Sequence, residues 1–596
     1  MTLQPFAGRL ALLRAELVRL GIDGLYLQRT DPHGSEYLPA SEQRVAWLTG
    51  FTGSAGIVTV TADKAAVFSD GRYTVQLDAE VDGALYERRH IGKDPPAEWL
   101  ASNVPEGGTL GIDLMLTRKS ERDRLGEVAA RIGGKLIGVD DPIDAVWHDR
   151  PPPPLGQVFR LDERFAGESG PDKRVRIGKE IAKAGAGSML VTAADHIAWL
   201  LNVRGDDIPF NPVCLSFVLL SSDGRCRWFV DPRKLPADLN LEADVEVATC
   251  EALEPAFLEL KGRKVLVDPA TTHLGFSDML ERSGAVVVEA ADPILLAKAR
   301  KNPIEISGAI AAQRRDGAAM VRFLAWLASI PLDGTVSEMD ASARLSMERS
   351  KDPLFRGPSF ETISAHGPNA ALPHYRTMEK SNRPLTGGAI YLVDSGGQYP
   401  DGTTDVTRTL LLGGTVGETV AEFRRCNTLV LKGHVALATA VFPKGTTGAQ
   451  LDTFARMHLW RAGLDFDHGT GHGIGAYLCV HEGPQRIAKT STVALEPGMI
   501  VSNEPGYYRA AHFGIRIENL VLVTAAAAPS GGERDLLRLE TLTLVPIDRS
   551  LMDLGMLTTG ERRWVDTYHQ RVLAELSPLL DEDHRHWLEA ACAPLK

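Results

Sequence analysis

A chain of 596 residues is too long for one hydrophobic core and calls for about three or four compact units. Its 44% hydrophobic and 24% charged residues fit an ordinary globular protein, while a net charge of −12 and a pI near 5.8 exclude a general nucleic-acid binder, whose surface would be basic. No run reaches the roughly 20 apolar residues of a membrane span, which excludes a helical membrane protein.

The opening stretch, MTLQPFAGRLALLRAELVRLGIDGLYL, intersperses arginine and glutamate among its leucines. It therefore has no uninterrupted apolar signal core, and a cytoplasmic protein is expected. Leu10, Leu13, Leu17 and Leu20 form a helical stripe closed by Gly21, and the strand-like GLYLQ follows. Six scattered cysteines without a C-x-x-C pair read as reduced thiols rather than a disulfide frame or metal knuckle. The proline run RPPPPLG, residues 150–156, cannot continue a helix or a central strand and reads as a linker.

Across that linker the sequence echoes itself. RVAWLTGFTGSAG around Trp47 returns as HIAWLLNVRGDD around Trp199, and VFSDGRY from Val67 returns as WFVDPRK from Trp228. Two matches in one order predict two copies of a single α/β unit, residues 1–150 and 157–298. The next boundary falls near KARKNPIEI, where Pro303 suits a first helical turn. Met320, Phe323, Leu324 and Leu327 then follow at helical spacing as plain core.

Beyond this point strands come in pairs between helices. AIYLVDSGGQYPDGTTDVTRTLLLG, residues 389–413, reads as an antiparallel hairpin around a Gly/Pro/Asp turn. Thr415 and Glu418 have capping-box spacing before a helix that stops near Pro443. A second helix over about 448–462 turns Leu451, Phe454, Ala455 and Leu459 inward. Late strands in GMIVSNEPGYY and FGIRIENLVLV complete a mixed α+β domain.

That domain carries the chemistry. HGTGHGIG, residues 468–475, holds too much glycine for a helix, at a cost of about 1 kcal/mol each, so it reads as a tight turn presenting His468 and His472. Asp394 ends an apolar strand, Asp405 lies on the returning arm of the same hairpin, and Glu504 and Glu518 are also acids attached to apolar strands. Unpaired carboxylates in such places are expensive to bury. Two divalent cations explain all four, since the carboxylates balance a charge of +4 and His472 adds a nitrogen. Oxygen-rich donors favour Mn²⁺, with Co²⁺ or Zn²⁺ able to substitute. Two metals about 3.5–4 Å apart can activate a bridging water, which predicts a metallohydrolase. His481-Glu482 is followed by no histidine at helical spacing, so this is not an H-E-x-x-H enzyme.

YLVDSG, GTTDVTRT, HGTGHGIG, NEPGYY and GIRIEN, in this order, resemble the pita-bread metallopeptidases, specifically the long three-domain aminopeptidase P family, and the resemblance spans nearly the whole chain. It implies two creatinase-type α/β domains, a pita-bread catalytic domain over 299–547 and a carboxy-terminal extension over 548–596. By resemblance, Asp394, Asp405, His472, Glu504 and Glu518 ligate two metals, with Asp405 and Glu518 bridging and Glu504 also taking a proton from the attacking water. His374, His468 and His481 match the family's three non-ligand histidines, which bind substrate and stabilise the oxyanion. Arg516, two residues before Glu518, orients ligating carboxylates, and Tyr508 matches a tyrosine near the metals.

The implied reaction releases the N-terminal residue of a peptide whose second residue is proline. A prolidase, restricted to Xaa-Pro dipeptides, is the rival on the same metal set, but it is usually shorter and lacks the tandem amino-terminal units. A non-catalytic peptide-binding module would have lost the ligands, all of which are present. The tail, with Trp564, Val565, Tyr568, Val572 and Leu576 at helical spacing, suggests a homodimer contact or simple packing on the catalytic domain.

Overall fold

The computed structural model describes residues 4–413 and 418–595. The chain forms two compact units, Met1–Asp162 with Glu168–Ile294, and Glu163–Gly167 with Leu295–Lys596.

The first unit contains two sheets of the same design. Helix α1 (Gln4–Leu20) buries Leu10, Leu13 and Leu17 and ends at Gly21, whose φ of +68° only glycine adopts freely. Strand β1 (Gly24–Gln28), helix α2 (Arg44–Thr49), and strands β2 (Ile57–Thr61), β3 (Ala65–Ser69), β4 (Glu87–His90), β5 (Thr109–Asp113) and β6 (Lys135–Val139) follow. Their order is β4-β3-β2-β1-β5-β6. The second sheet uses β7 (Ser188–Val191), β8 (Phe217–Ser221), β9 (Cys226–Phe229), β10 (Val245–Ala248), β11 (Lys264–Val267) and β12 (Val286–Glu289), with helix α3 (Ala194–Leu200) after its first strand. Its order, β10-β9-β8-β7-β11-β12, repeats the first strand for strand, including which pairs are parallel. The two echoes occupy equivalent places. Trp47 and Trp199 are buried on α2 and α3, the helices after the first strand, and the second echo falls on β3 and β9, the third strand of each sheet.

The second unit opens with α4 (Pro303–Ser329). Asn302 caps it by accepting from the Ile304 and Glu305 amides while the Glu305 carboxylate accepts from the Asn302 amide, and Pro303 takes the first helical position. Met320, Phe323, Leu324 and Leu327 are buried on one face of it. After α5 (Glu338–Arg349) come strands β13 (Ile363–His366), β14 (Ala389–Ser395) and β15 (Val406–Leu412), a three-stranded sheet in which β14 pairs antiparallel with both neighbours. Helix α6 (Glu418–Ala438) follows, and its expected cap, Thr415 with the Glu418 side chain, lies outside the described residues. The helix ends five residues before Pro443, which belongs to the short strand β16 (Val441–Pro443).

Helix α7 (Gly448–Trp460) buries Leu451, Ala455 and Leu459 but leaves Phe454 41% exposed, against expectation. Positions 451, 455 and 459 already make one face, and 454, about 100° round from 455, falls off it. The remaining strands are β17 (Gly471–Gly473), β18 (Glu482–Ile487), β19 (Ile500–Asn503), β20 (Gly506–Arg509), β21 (Phe513–Arg516), β22 (Asn519–Ala526) and β23 (Leu536–Thr541). Five of them join β16 in one six-stranded sheet in the order β16-β23-β22-β19-β17-β18, and β20 and β21 form a hairpin. Helix α8 (Thr559–Leu576) turns Val565, Tyr568, Val572 and Leu576 into this unit's own core, so those positions supply no dimer surface. All six cysteines are free, and no helix among the described residues is long and apolar enough to cross a membrane.

Candidate metal centre

Sheet order explains how residues far apart in sequence meet. Strand β19 lies between β17 and β22, so Glu504 after β19, His472 within β17 and Glu518 before β22 are brought to neighbouring strands. Asp394, near the end of β14, stands opposite Thr407 of β15, which places Asp405 beside it. Ligand atoms of Asp405, His472 and Glu518 all lie within 4.8 Å of one another. The His472 Nε2 is 3.5 Å from a carboxylate oxygen of Asp405 and 3.5 Å from one of Glu504. Its Nδ1 lies 3.0 Å from the Gly473 carbonyl, a contact only an N–H satisfies, so the lone pair sits on Nε2 and points at the carboxylates.

The donor set fits divalent cations. Among the described residues, Oδ1 of Asp394 and Oδ1 of Asp405 are buried without a hydrogen-bond partner, a costly state for carboxylate oxygens unless a cation satisfies them. Burial, reinforced by the neighbouring carboxylates, raises Asp405 and Glu518 well above the usual carboxylate range and raises Glu504 as well. A cluster that resists carrying its charges alone is what metal charge would relieve.

Further side chains hold the cluster in place. Arg516 donates to Asp394 Oδ2 and to the Tyr508 hydroxyl, and its Nε donates to Thr407 Oγ1 at 3.1 Å. Thr407 in turn donates to Glu518 at 2.7 Å. Ser502 accepts from the His472 amide at 2.9 Å and donates to Glu504 at 3.2 Å. His481 packs edge-on against His472 with ring centroids 4.4 Å apart. His468 has its Nδ1 2.7 Å from the Gly469 carbonyl and its Nε2 2.9 Å from the Tyr508 hydroxyl. His374 is half-buried beside Tyr375, whose hydroxyl donates to Glu338 at 2.9 Å. Its segment lies against β21 through Ala370, whose carbonyl would be 1.7 Å from any Cβ at Gly514.

The glycine-rich stretch is partly a strand, β17, rather than only a turn, and its glycines answer to close packing. A Cβ on Gly471 would lie 1.9 Å from the Ser502 carbonyl oxygen, and one on Gly473 would lie 2.4 Å from that of Glu482. Sequence reasoning missed the clamp on this stretch. On α7 the buried pair Asp452 and Arg456 bond each other, Arg456 donates to the carbonyls of Phe466 and His468, and Asp452 accepts from Thr470. Their i,i+4 spacing inside a helix was the available signal. Thr407 and Ser502 were also missed, though each lies only two residues from an acid of the cluster.

Residues 9–146 and 149–305 match the creatinase/prolidase N-terminal domain, 308–525 match metallopeptidase family M24, and 535–595 match that family's C-terminal region. The probable Xaa-Pro aminopeptidase P of Laccaria bicolor is 40% identical over 608 residues, covering 98% of this chain and 93% of the relative. That of Coccidioides posadasii is 39% identical over 614 residues with the same coverage. The crystal structure of X-prolyl aminopeptidase from Caenorhabditis elegans, described as a cytosolic enzyme with a di-nuclear active site, superposes with a TM-score of 0.92 at 33% identity, covering 99% of this chain and 100% of that one. Xaa-Pro dipeptidase from Bacillus anthracis covers only 64% of this chain, with a TM-score of 0.51. Fold and site thus define a metallopeptidase with a pita-bread catalytic domain and two creatinase-type domains before it. The chain belongs to metallopeptidase family M24 and, within it, to the Xaa-Pro aminopeptidase P group.

Proposed function

We propose that this protein is a metal-dependent aminopeptidase that removes the N-terminal residue from peptides with proline at the second position. The observation that carries the reading is the convergence of four carboxylates and His472 in one place, with buried carboxylate oxygens left unpartnered, in a chain that aligns end to end with named Xaa-Pro aminopeptidases. Proline offers no amide N–H, so peptidases that grip that donor fail on such bonds and a dedicated enzyme is required.

Asp394, Asp405, His472, Glu504 and Glu518 would hold two divalent cations. Mn²⁺ suits this oxygen-rich set, and Co²⁺ or Zn²⁺ would substitute. Bound there, the cations would supply Lewis acidity that lowers the pKa of water and stabilises charge developing on the substrate carbonyl. Glu504, held beside the metal positions, accepts the proton released as water attacks. His481 and His374 donate hydrogen bonds to the carbonyl oxygen as it becomes an oxyanion. His468 acts through the Tyr508 hydroxyl it contacts, and Arg516 fixes both that hydroxyl and Asp394. The chain divides at residues 150–156, 298–299 and 547–548. It works in the cytoplasm as a homodimer, a state that light scattering at micromolar concentration tests by the mass it returns; the nematode neighbour is described as cytosolic.

The deciding assay uses Mn²⁺-loaded protein and two peptides that differ only in proline or alanine at position two, with the released residue followed by mass spectrometry. Cleavage of the proline peptide alone is expected. Cleavage of an Xaa-Pro dipeptide and neither longer peptide would make the protein a prolidase instead. Asp405→Asn removes a charge from the carboxylate cluster and is expected to abolish both Mn²⁺ binding by calorimetry and hydrolysis; normal activity in it would sink the two-metal assignment.

A further inference from the structure

Arg408 is fully buried, three residues past Asp405 on β15, and plays no part in the site described above. Among the described residues no carboxylate pairs with it; every hydrogen-bond partner is a carbonyl, amide or hydroxyl oxygen. Nε donates to the Pro546 carbonyl at 3.0 Å, Nη1 to the carbonyls of Thr407 at 2.8 Å and Glu518 at 2.6 Å. Nη2 reaches Asn519 Oδ1 at 2.7 Å, the Val545 carbonyl at 2.7 Å and the Tyr568 hydroxyl at 3.0 Å. A guanidinium this enclosed is costly unless its geometry is fully met and charge of opposite sign lies near. Burial depresses its basicity, an effect opposed first by the Tyr568 hydroxyl and least by the Glu518 carboxylate.

Tyr568 completes the arrangement from helix α8. Its hydroxyl uses its full capacity: it donates to the Val545 carbonyl at 2.8 Å and accepts from the Val545 amide at 3.2 Å and from Arg408. Trp564, one turn earlier, stacks on the tyrosine ring with centroids 5.4 Å apart and planes within 6°. On the far side Asn519, next to Glu518, meets His434 of α6 at 3.2 Å, and Trp564 packs edge-on to the same histidine. The Glu518 carbonyl and the Asn519 side chain are therefore gripped by one guanidinium that also meets a hydroxyl from helix α8.

We propose that Tyr568 and Arg408 are positioning residues for the metal centre: Tyr568 of helix α8 orients Arg408, and Arg408 sets the backbone of Glu518 so that its carboxylate is presented to the metals. The proposal rests on the reading of Glu518 as a ligand. It makes the carboxy-terminal region a working part of the active site.

Four variants of the full-length protein, stripped of metal and titrated with MnCl₂ by calorimetry, test this alongside steady-state kinetics on an Xaa-Pro peptide. Tyr568→Phe keeps the ring and its stacking and removes one oxygen; it is expected to lower Mn²⁺ affinity and kcat by about 10-fold, with KM within about two-fold, the scale of outer-shell changes. Arg408→Lys keeps charge but loses the fork and gives a second reading in the same direction should Tyr568→Phe fold poorly. His569→Gln is the control on the same helix, since His569 accepts from the Ile547 amide without touching Arg408; it is expected to lose thermal stability and keep Mn²⁺ affinity. Glu518→Gln sets the scale of full loss. Wild-type affinity and kcat in Tyr568→Phe, or an equal loss in His569→Gln, overturns the positioning role while the ligand assignment stands. Wild-type affinity in Glu518→Gln overturns both.

Discussion

Asp394 divides its two oxygens between two tasks, one accepting from Arg516 and one left open in a buried position. Its chemistry was legible because ligand types stand in dense motifs, whereas Thr407 and Ser502 were not, because a hydroxyl acquires a role only from what it faces. The same holds for His434 and His569, which no motif marks. Burial, with the Arg408 cation adding to it, holds His434 at about 3 and His569 at about 4, against an ordinary value near 6.5. Both stay neutral when folded and take up a proton when unfolded, so the unfolded state gains protons below about pH 6.5 and stability falls as pH drops from there toward 4. Each contributes a slope of about 1.4 kcal/mol per pH unit. Urea melts at pH 7.5 and 5.0 are expected to show this loss, and His569→Gln a shallower one; parallel slopes would refute the assignment.

Elements bring these residues together by sheet order. Three strands carry or flank His472, Glu504 and Glu518, and no spacing in the sequence announces that β19 lies between β17 and β22. The strand at Gly471 depends on having no side chain, because its Cα side faces the Ser502 carbonyl. Gly471→Ala is expected to separate β17 from β19, costing about 2 kcal/mol or more in stability and shifting both His472 and Ser502. The measurement is a melting curve paired with Mn²⁺ titration; wild-type values in both would show that the strands yield without consequence. Helix α7 illustrates how far periodicity reaches. It placed Leu451, Ala455 and Leu459 correctly and Phe454 wrongly, and it said nothing of the Asp452–Arg456 clamp, since polar residues on a buried face break the pattern that reveals the face.

For the whole molecule, the two amino-terminal sheets share one strand order, which two faint echoes around tryptophans already implied. Helix α8 of the carboxy-terminal region belongs to the catalytic core, with Val565, Val572 and Leu576 fully buried there. Burying such side chains is worth about 1.5–3 kcal/mol each, and losing several approaches the whole stability of about 5–15 kcal/mol. A chain ending at Ile547 is therefore expected to be unfolded by circular dichroism; a soluble, folded product would refute this. The sequence by itself determined the class of chemistry and the duplicated α/β units, and it singled out the acids and His472 as candidates, because apolar periodicity and the density of ligand types are local properties of the chain. Only the tertiary structure decided which hydroxyls and guanidinia support those acids, that His468 turns to Tyr508, and that the tail's apolar face is filled from within. Each of those depends on strands and helices far apart in sequence coming into contact, and contact is what burial creates and spacing does not encode.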